Sequence, residues 1–552
     1  MNVVSDIHFS PRPNRAAEIR WRPWGDDAFA EARILDRPVL LSISAVWCHW
    51  CHVMDETTYS SAEVIALINE RWVPIRVDND VRPDINQRYN MGGWPTTAFL
   101  TAEGEILTGA TYIPPDQMLE ALRRLERVYS TQRPAIAARI LEARSRSGAA
   151  GAGSRRPLER DAVTGVLDAA AAAFDAVNGG FGTAPKFPHP ELLCLLAEQA
   201  TLRGEPNLGE MAVHSLSAMA GGGTYDHVEG GFFRYSTTAD WSVPHFEKML
   251  EDHGGLLQAL AICGLDGILD GAVAYLDRVL LHPATGLYGG SQDADEAYYS
   301  AGAEGRAAMA APQVDHRAYS AWNCALAVAQ LEADRRLGRP LLRDRASRLL
   351  ETLFAERLVD GDLEHLPGLG GLLGDQVHGL LAAVRAHSSG LGDVWLVRAQ
   401  EMSDNLERRY GAGGAGGLLD HAGQDLAGRL GDPILSLPDN SVAALALFEL
   451  DVLVGDPDGP HRRRAIGALE AVAGQVRSHG LSAAGFARAV DRVLSTAVKV
   501  TTSAPELITA ALAANPRVVI QPGDERAIVC IGTICLAPTS DPAAVAAAVG
   551  PT

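Results

Sequence analysis

The stretch VLLSISAVWCHWCHV (residues 39–53) decides how the first quarter of the chain folds. Val39 to Val46 is apolar and β-branched, the pattern of a buried strand. Cys48-His49-Trp50-Cys51 follows at once and opens a segment with helical spacing. A thiol at a helix N-terminus meets the positive end of the helix dipole and unpaired N–H groups, and both favour thiolate over thiol. Cys48 is therefore the expected attacking sulfur, and Cys51, one turn on and more shielded, is placed to resolve a mixed disulfide. A protonated His49 adds to the same bias, and Trp50 completes the motif.

Outward from this motif, Ser61 to Arg71 has helical spacing at Val64, Ile65, Leu67 and Ile68, and Trp72 to Val77 (WVPIRV) returns to a strand. The order is β-α-β. Thr97 to Leu100 and Ile106 to Ala110 bracket the turn Ala102-Glu103-Gly104-Glu105 as a hairpin, and Pro115 to about Arg144 reads as a terminal helix. Gly92-Gly93-Trp94-Pro95-Thr96 lies just before the hairpin. A cis bond at Pro95, beside Trp94, would set backbone groups against the sulfurs and leave a strand edge open for an extended substrate. Strand, CxxC, helix, proline and hairpin in this order define a thioredoxin-like fold. Two other readings of the cysteines stand beside the redox one. A zinc site needs four ligands, but no second CxxC accompanies the first and His52 is strained as a co-ligand, so no metal is expected. A fossil motif would keep the fold and lose the exchange chemistry.

Composition narrows the partners. The chain has 552 residues, with 48 Lys plus Arg against 68 Asp plus Glu, a formal charge of −20 that works against binding nucleic acid or anionic lipid. Hydrophobic residues at 47% and charged residues at 21% exclude wholesale disorder. The start carries no signal-like apolar run and no stretch of about 18 apolar residues occurs, so the expectation is a cytoplasmic protein without a membrane span. Seven cysteines, sparse and odd in number, fit a reducing compartment. Cys194, Cys263 and Cys324 fall on helical patterns as core residues, and Cys530 and Cys535 read as small buried side chains without a redox role.

Residues 1–142 thus form the thioredoxin-like domain. A linker at 143–157 follows, because Ser145 to Pro157 (SRSGAAGAGSRRP) lacks apolar periodicity. From 158 to 500 the chain is Ala- and Leu-rich with helical spacing, broken by Gly179-Gly180, Gly230-Gly231, Gly289-Gly290, Gly370-Gly371 and Gly416-Gly417. Helical hairpins turned by glycine pairs suggest stacked helix pairs that close on themselves as a toroid. Strand-like runs at Arg517 to Ile520 and Ala527 to Cys535 flank a helical Ser503 to Ala514, so residues 501–552 form a small α/β appendage.

Long strings resemble the YyaL/spermatogenesis-associated protein 20 family: AVWCHWCHVMDETTYSSAEVIALIN, VPIRVDNDVRPDI and GGWPTTAFLTAEGE, then in the same order APKFPHPELL, GGGTYDHVEGGFFRYSTTADWSVPHFEKMLEDH, SQDADE, SAWN, DNSVAA and VCIGTICLAPTSDP. The resemblance implies a thioredoxin-like domain joined to an (α/α)6 toroid similar to six-hairpin glycosidases and N-acylglucosamine 2-epimerases. The chain departs from the family in three places. Only about 25 residues separate Asp295 from Trp322 where relatives have a long segment. Leu250-Glu251-Asp252-His253 stands where relatives tend to read LYDN. Ser42 stands where thioredoxins bury an aspartate, so a proton acceptor for Cys51 is not evident.

Polar density marks a candidate cavity at Tyr225, Asp226, His227, Arg234, Tyr235, Trp241, His245, Glu247, Lys248 and Asp252. Pro244 suits a first helical turn, which puts Lys248 and Asp252 one turn apart as a surface pair. A glycosidase needs two carboxylates facing a sugar, and Glu247 with Asp293 or Asp295 is the expected pair. An epimerase needs histidine bases, here His227 and His245. Trp241, Tyr235 and Trp322 are candidate sugar-stacking walls. Lys186 and Asn323 complete the set, with Asp375, His378, Asp420, His421 and Asn440 as weaker candidates. Capping or loop-tying competes with each of these roles. Three functions follow in order: a thiol–disulfide oxidoreductase with a protein dithiol or disulfide as client or reductant; a carbohydrate-active enzyme; and a non-catalytic binding protein. None requires a cofactor.

Overall fold

Val39–Ser44 forms the central strand β1, and all six of its side chains are buried because helices cover both faces of its sheet. The computed structural model describes residues 7–151, 155–413, 416–423, 427–455 and 459–550. β1 pairs in parallel with β2 (Val73–Asp78) and antiparallel with β3 (Thr96–Leu100), which pairs antiparallel with β4 (Ile106–Ala110). The strand order β2-β1-β3-β4 and the helices α1 (Asp26–Leu35), α2 (His49–Glu56), α3 (Ala62–Arg71), α4 (Pro83–Tyr89) and α5 (Pro115–Thr131) make the thioredoxin-like fold. Val39, Leu41 and Ile43 pack with Phe29, Ile75 and Tyr89 on one face. Leu40 packs with Met54, Trp72, Phe99 and Leu122 on the other.

The helix expected to run unbroken from Pro115 is two helices. α5 ends at Thr131 and α6 (Arg133–Gly151) begins with Pro134 in its first turn. Proline has no N–H and crowds the preceding residue, so it ends one helix and suits the start of the next. α6 runs on through the segment read as a linker as far as Gly151. Alanine and arginine are strong helix formers, and the run Arg144 to Ala150 holds no proline to stop them.

The chain divides into two units. One comprises Met1–Gly153 with Asp293–Asp295 and His421–Ile434, and the other Ser154–Gln292, Glu296–Asp420 and Leu435–Thr552. In the second, the helices are α7 (Asp161–Ala173), α8 (Pro190–Arg203), α9 (Pro206–Gly221), α10 (Leu250–Cys263), α11 (Asp266–Tyr275), the short α12 (Glu296–Tyr299) and α13 (Ala303–Ala307), α14 (Ser320–Leu337), α15 (Pro340–Arg357), α16 (Leu373–Ser388), α17 (Val394–Tyr410), α18 (Leu437–Val454), α19 (Pro460–Val472), the short α20 (Val476–His479) and α21 (Ala484–Val493). α8, α10, α14, α16, α18 and α21 pack each on the next, and α21 packs back on α8. α9, α11, α15, α17, α19 and α7 back these six from outside, which completes an (α/α)6 ring.

Closure is secured by buried charge. Glu198 on α8 takes Arg488 at 2.8 Å and Arg492 at 3.1 Å, both from α21. A second device recurs at the fourth residue of four inner helices. Phe232 N–H donates to His253 Nε2 (2.9 Å), Tyr288 N–H to Asn323 (2.9 Å), Leu363 N–H to Gln376 (2.8 Å) and Leu418 N–H to Asn440 (2.8 Å). Each clamps the loop that leads into its helix, so Asn323 and Asn440 are structural and not cavity groups. The Gly-Gly turns serve the same joints. Gly231 has φ +80, and a Cβ there would lie 2.5 Å from the Tyr275 ring.

Short pairings in the ring's loops form β5 (Tyr235–Ser236), β6 (Pro244–His245), β7 (Lys248–Met249), β8 (Ser291–Gln292), β9 (Val314–Asp315), β10 (Leu358–Val359) and β11 (Asp362–Leu363); the C-terminal module, whose first strand begins at Val498 rather than 501, comprises β12 (Val498–Thr501), α22 (Pro505–Ala514), β13 (Val519–Gln521), β14 (Ile528–Ile531), β15 (Ile534–Cys535) and α23 (Pro542–Val549). Cys530 and Cys535, expected as unbonded core residues, form a disulfide across β14 and β15. Cys194, Cys263 and Cys324 are free. Among the described residues no helix is long and apolar enough to cross a membrane.

Candidate functional sites

In the thioredoxin-like unit, β1 delivers the chain to Cys48, the N-cap residue of α2. Cys48 and Cys51 are joined as a disulfide, and the Cys51 N–H points at Cys48 Sγ from 3.2 Å. Both are buried, at 3% and 2% exposure, so the expected contrast between an open and a shielded sulfur is absent in the oxidised state. Trp50 is half exposed and leans on Tyr112, with ring centroids 5.3 Å apart, and His49 is edge-on to Trp50. Trp94 meets Trp47 edge-on at 5.4 Å, and the Trp94–Pro95 peptide bond is cis.

Ser42 is buried between Arg76 and Thr97 on the neighbouring strands. Asp55 on α2, one turn past Cys51, is buried, and Arg76 holds it with two bonds of 2.7 and 2.8 Å. His52, next to Cys51, is buried, and burial followed by the charge of His8 pushes its pKa down to about 4. It is therefore neutral at pH 7. Asp293 Oδ2 lies 3.6 Å from His52 Nδ1, and Asp293–Asp295 group with this unit. Asp293 and Asp295, expected as partners of Glu247, thus fall within the thioredoxin-like unit. His421 likewise groups with this unit.

In the ring, several expected cavity groups are structural. Lys186 is buried on Asp175 (2.7 Å) and the Gly179 carbonyl (2.8 Å). Lys248 repeats the device on Asp226 (2.7 Å) and the Gly230 carbonyl (2.9 Å). Asp226 also takes Arg306 at 2.7 Å. Lys248 therefore does not pair with Asp252: Pro244–His245 is a strand, and α10 starts only at Leu250. The helix cannot begin at Pro244 because Tyr235 and Ser236 claim that backbone as a strand partner. Trp241 is buried, and its Nε1–H donates to the Asn178 carbonyl at 3.0 Å, which removes it as a sugar wall. Tyr225 packs edge-on to Phe232, and His227 is exposed and bonded to the Gly222 carbonyl. Asp375 receives the Ala321 N–H at 2.8 Å and His365 at 3.0 Å, and the Asp420 carbonyl receives the Leu373 N–H.

Another set gathers at the N-terminal ends of the inner helices. Glu251 and Asp252 open α10, Trp322 opens α14, His378 lies in the second turn of α16 and Asp439 in the first turn of α18. Glu251 is reached by solvent, yet the surrounding protein raises its pKa while Arg234 and His378 oppose the rise. His378 also opposes the rise at Asp439, so it lies within electrostatic reach of both α10 and α18. Burial, against Arg234 and with the like charges of Glu251 and Glu247, pushes Asp252 up to about 7, and its Oδ2 has no hydrogen-bond partner. His245 Nδ1 bonds Glu247, and its ring stacks on Tyr235 (4.9 Å), which stacks on Phe187 (4.8 Å). Sequence reasoning named Arg234, Tyr235, His245, Glu247, Asp252 and Trp322. It missed Asp439, which shares with Asp252 and Trp322 the third position of an inner helix. Among the described residues no cluster of three or more His, Cys, Asp or Glu is arranged to hold a metal ion.

These features define a thioredoxin-like domain carrying a CxxC disulfide, followed by a helical toroid. Residues 12–145 match the family model Thioredox_DsbH, a protein of unknown function (DUF255). The chain is 33% identical over 308 residues to spermatogenesis-associated protein 20 of Homo sapiens, a match covering 50% of this chain and 39% of that protein. It thus spans about two fifths of that relative's length. Among solved structures it is similar to a cellobiose 2-epimerase from Spirochaeta thermophila DSM 6192 (TM-score 0.48, 15% identity, covering 61% of this chain and 97% of that one). It is also similar to a D-mannose isomerase (TM-score 0.47, 11% identity, 57% and 84%).

Proposed function

We propose that the protein is a cytoplasmic thiol–disulfide oxidoreductase whose client is a protein dithiol. The observation that carries this reading is the Cys48–Cys51 disulfide with Cys48 at the N-cap of α2. A client thiolate attacks Cys48 Sγ, and the Cys48–Cys51 bond breaks with Cys51 leaving as thiolate. The client's second thiol then attacks its own sulfur in the mixed disulfide, and Cys48 departs as a thiolate favoured by the helix terminus. Neutral His52, kept uncharged by burial, adds no positive charge beside Cys51. The test is a redox titration of the full chain by differential alkylation and mass spectrometry. Reversible conversion of the pair at roughly −180 to −270 mV is expected. Cys48→Ser should abolish exchange with folding intact, and Cys51→Ser should accumulate mixed disulfides. A pair that stays locked, or exchange retained in Cys48→Ser, overturns the reading and leaves a binding role for this domain.

A second reading, a carbohydrate-active ring, has its own observation. Burial and the like charges of Glu251 and Glu247, against Arg234, push Asp252 up to about 7, and Tyr235 and His245 offer stacked flat rings, as general acid–base work on a sugar requires. Incubation with aldoses in D2O, read by NMR, should give deuterium at C2 or cleavage of a glycoside, and Asp252→Asn should remove it. No reaction across neutral mono- and disaccharides sinks this reading.

A further inference from the structure

The C-terminal module repeats the topology of the N-terminal sheet. Its order is β13-β12-β14-β15, with β12 parallel to β13 and antiparallel to β14, and β14 antiparallel to β15. Strand for strand this is β2-β1-β3-β4 of the thioredoxin-like unit, with α22 crossing between the parallel strands and α23 closing the module. Val498, Val500, Leu507, Ile520, Val529 and Val545 form its own core. The junction after its central strand, where the first unit carries Cys48, holds Thr502 and Ser503 and no thiol. Its two cysteines face each other instead across the terminal hairpin, Cys530 on β14 and Cys535 on β15, joined as a disulfide.

The two sulfurs are not equivalent. Cys530 is buried at 8% exposure, whereas Cys535 is exposed on an edge strand of two residues flanked by Ile534 (69% exposed) and Leu536 (44% exposed). Thiolate attack runs along the S–S axis, so an incoming thiol must approach the attacked sulfur from the side away from its partner. For Cys535 that side is the open outer edge of the sheet. For Cys530 it lies over the neighbouring strand β12, where Cys530 is paired with Lys499 and is buried.

We propose that Cys530–Cys535 is a second thiol–disulfide exchange site, with Cys535 the attacked sulfur and a dithiol the reductant. The reductant's thiolate bonds to Cys535 Sγ, the Cys530–Cys535 bond breaks, and Cys530 leaves as a thiolate and takes a proton. The reductant's second thiol then displaces Cys535, so one disulfide is reduced and one dithiol is oxidised. This does not depend on the chemistry at Cys48.

The test uses the full chain carrying Cys48→Ser and Cys51→Ser, with dithiothreitol as the dithiol and no denaturant. Alkylation read by mass spectrometry should label Cys530 and Cys535 together as reductant rises, while buried Cys194 and Cys324 remain unlabelled until the chain is unfolded. With Cys530→Ser added, Cys535 should form a mixed disulfide with oxidised glutathione. With Cys535→Ser added instead, Cys530 should react at least tenfold more slowly. A pair that dithiothreitol cannot open without denaturant, or that is already present as thiols after aerobic purification, overturns the proposal. Equal reactivity of the two single thiols overturns the assignment of Cys535. If a single-thiol variant fails to fold, the dithiothreitol titration alone still decides whether the site exchanges.

Discussion

The ring buries carboxylates in two regions and treats them in opposite ways. At mid-helix, Glu198 faces Arg488 and Arg492, and Glu332 faces Arg335, Arg336 and Arg385, which also reaches Glu449. The guanidinium charges overcome burial and hold both Glu198 and Glu332 well below the usual carboxylate range. At the helix N-termini, Asp252 has Arg234 against two like charges and is pushed up to about 7. Fully compensated charge fastens neighbouring helices together; under-compensated charge stays available to gain and lose a proton.

The contrast breaks most visibly at Glu198. Glu198→Ala removes the carboxylate bonded to both Arg488 and Arg492 where the first and last inner helices meet, and should cost about 3–5 kcal/mol in urea denaturation at pH 7. Because the folded pKa of Glu198 is lowered, its contribution is present above the unfolded value of about 4.3 and is lost as pH falls towards the folded one. The gap between wild type and variant should therefore shrink at pH 3. A gap that is unchanged there would assign the loss to packing rather than charge. A smaller effect sharpens the comparison from the neutral side. Asn323→Ala leaves the buried Tyr288 N–H unpaired and should cost about 1–3 kcal/mol, and Asn440→Ala should cost about the same at Leu418. Thermal unfolding that ranks the two far apart would show that the repeated clamp is not repeated in energy.

Much of this was legible in residue order. β1, the CxxC at the start of α2 and the hairpin follow from β-branched runs and turn residues, and the helix pairs follow from glycine-punctuated apolar spacing. What failed was reasoning that needed a helix boundary. Reading Pro244 as a first turn put Lys248 and Asp252 on one face, whereas the strand pairing of Pro244–His245 delays α10 to Leu250 and frees Lys248 for Asp226. Contacts distant in sequence were equally invisible: Asp55 with Arg76, and Asp293 beside His52. Cys530 and Cys535 were misread because their spacing says nothing until the two-residue turn at Gly532-Thr533 sets them opposite each other.

Asp252 gives the most informative stability change. Its folded pKa of about 7 lies above the unfolded value of about 3.9, so between those pH values the folded chain holds a proton that the unfolded chain releases. The sign is the reverse of Glu198: stability is lost as pH rises from about 4 to 7 and stays lost above. Asp252→Asn removes the ionisable group, so its melting temperature relative to wild type should be unchanged at pH 4 and raised by a few degrees at pH 8. The same variant keeps the side-chain shape and leaves Arg234 beside Glu247 and Glu251. A melting temperature that does not gain with pH would mean that Asp252 ionises as an ordinary carboxylate. The mouth of the ring would then be compensated like its middle, and the second functional reading would lose its acid.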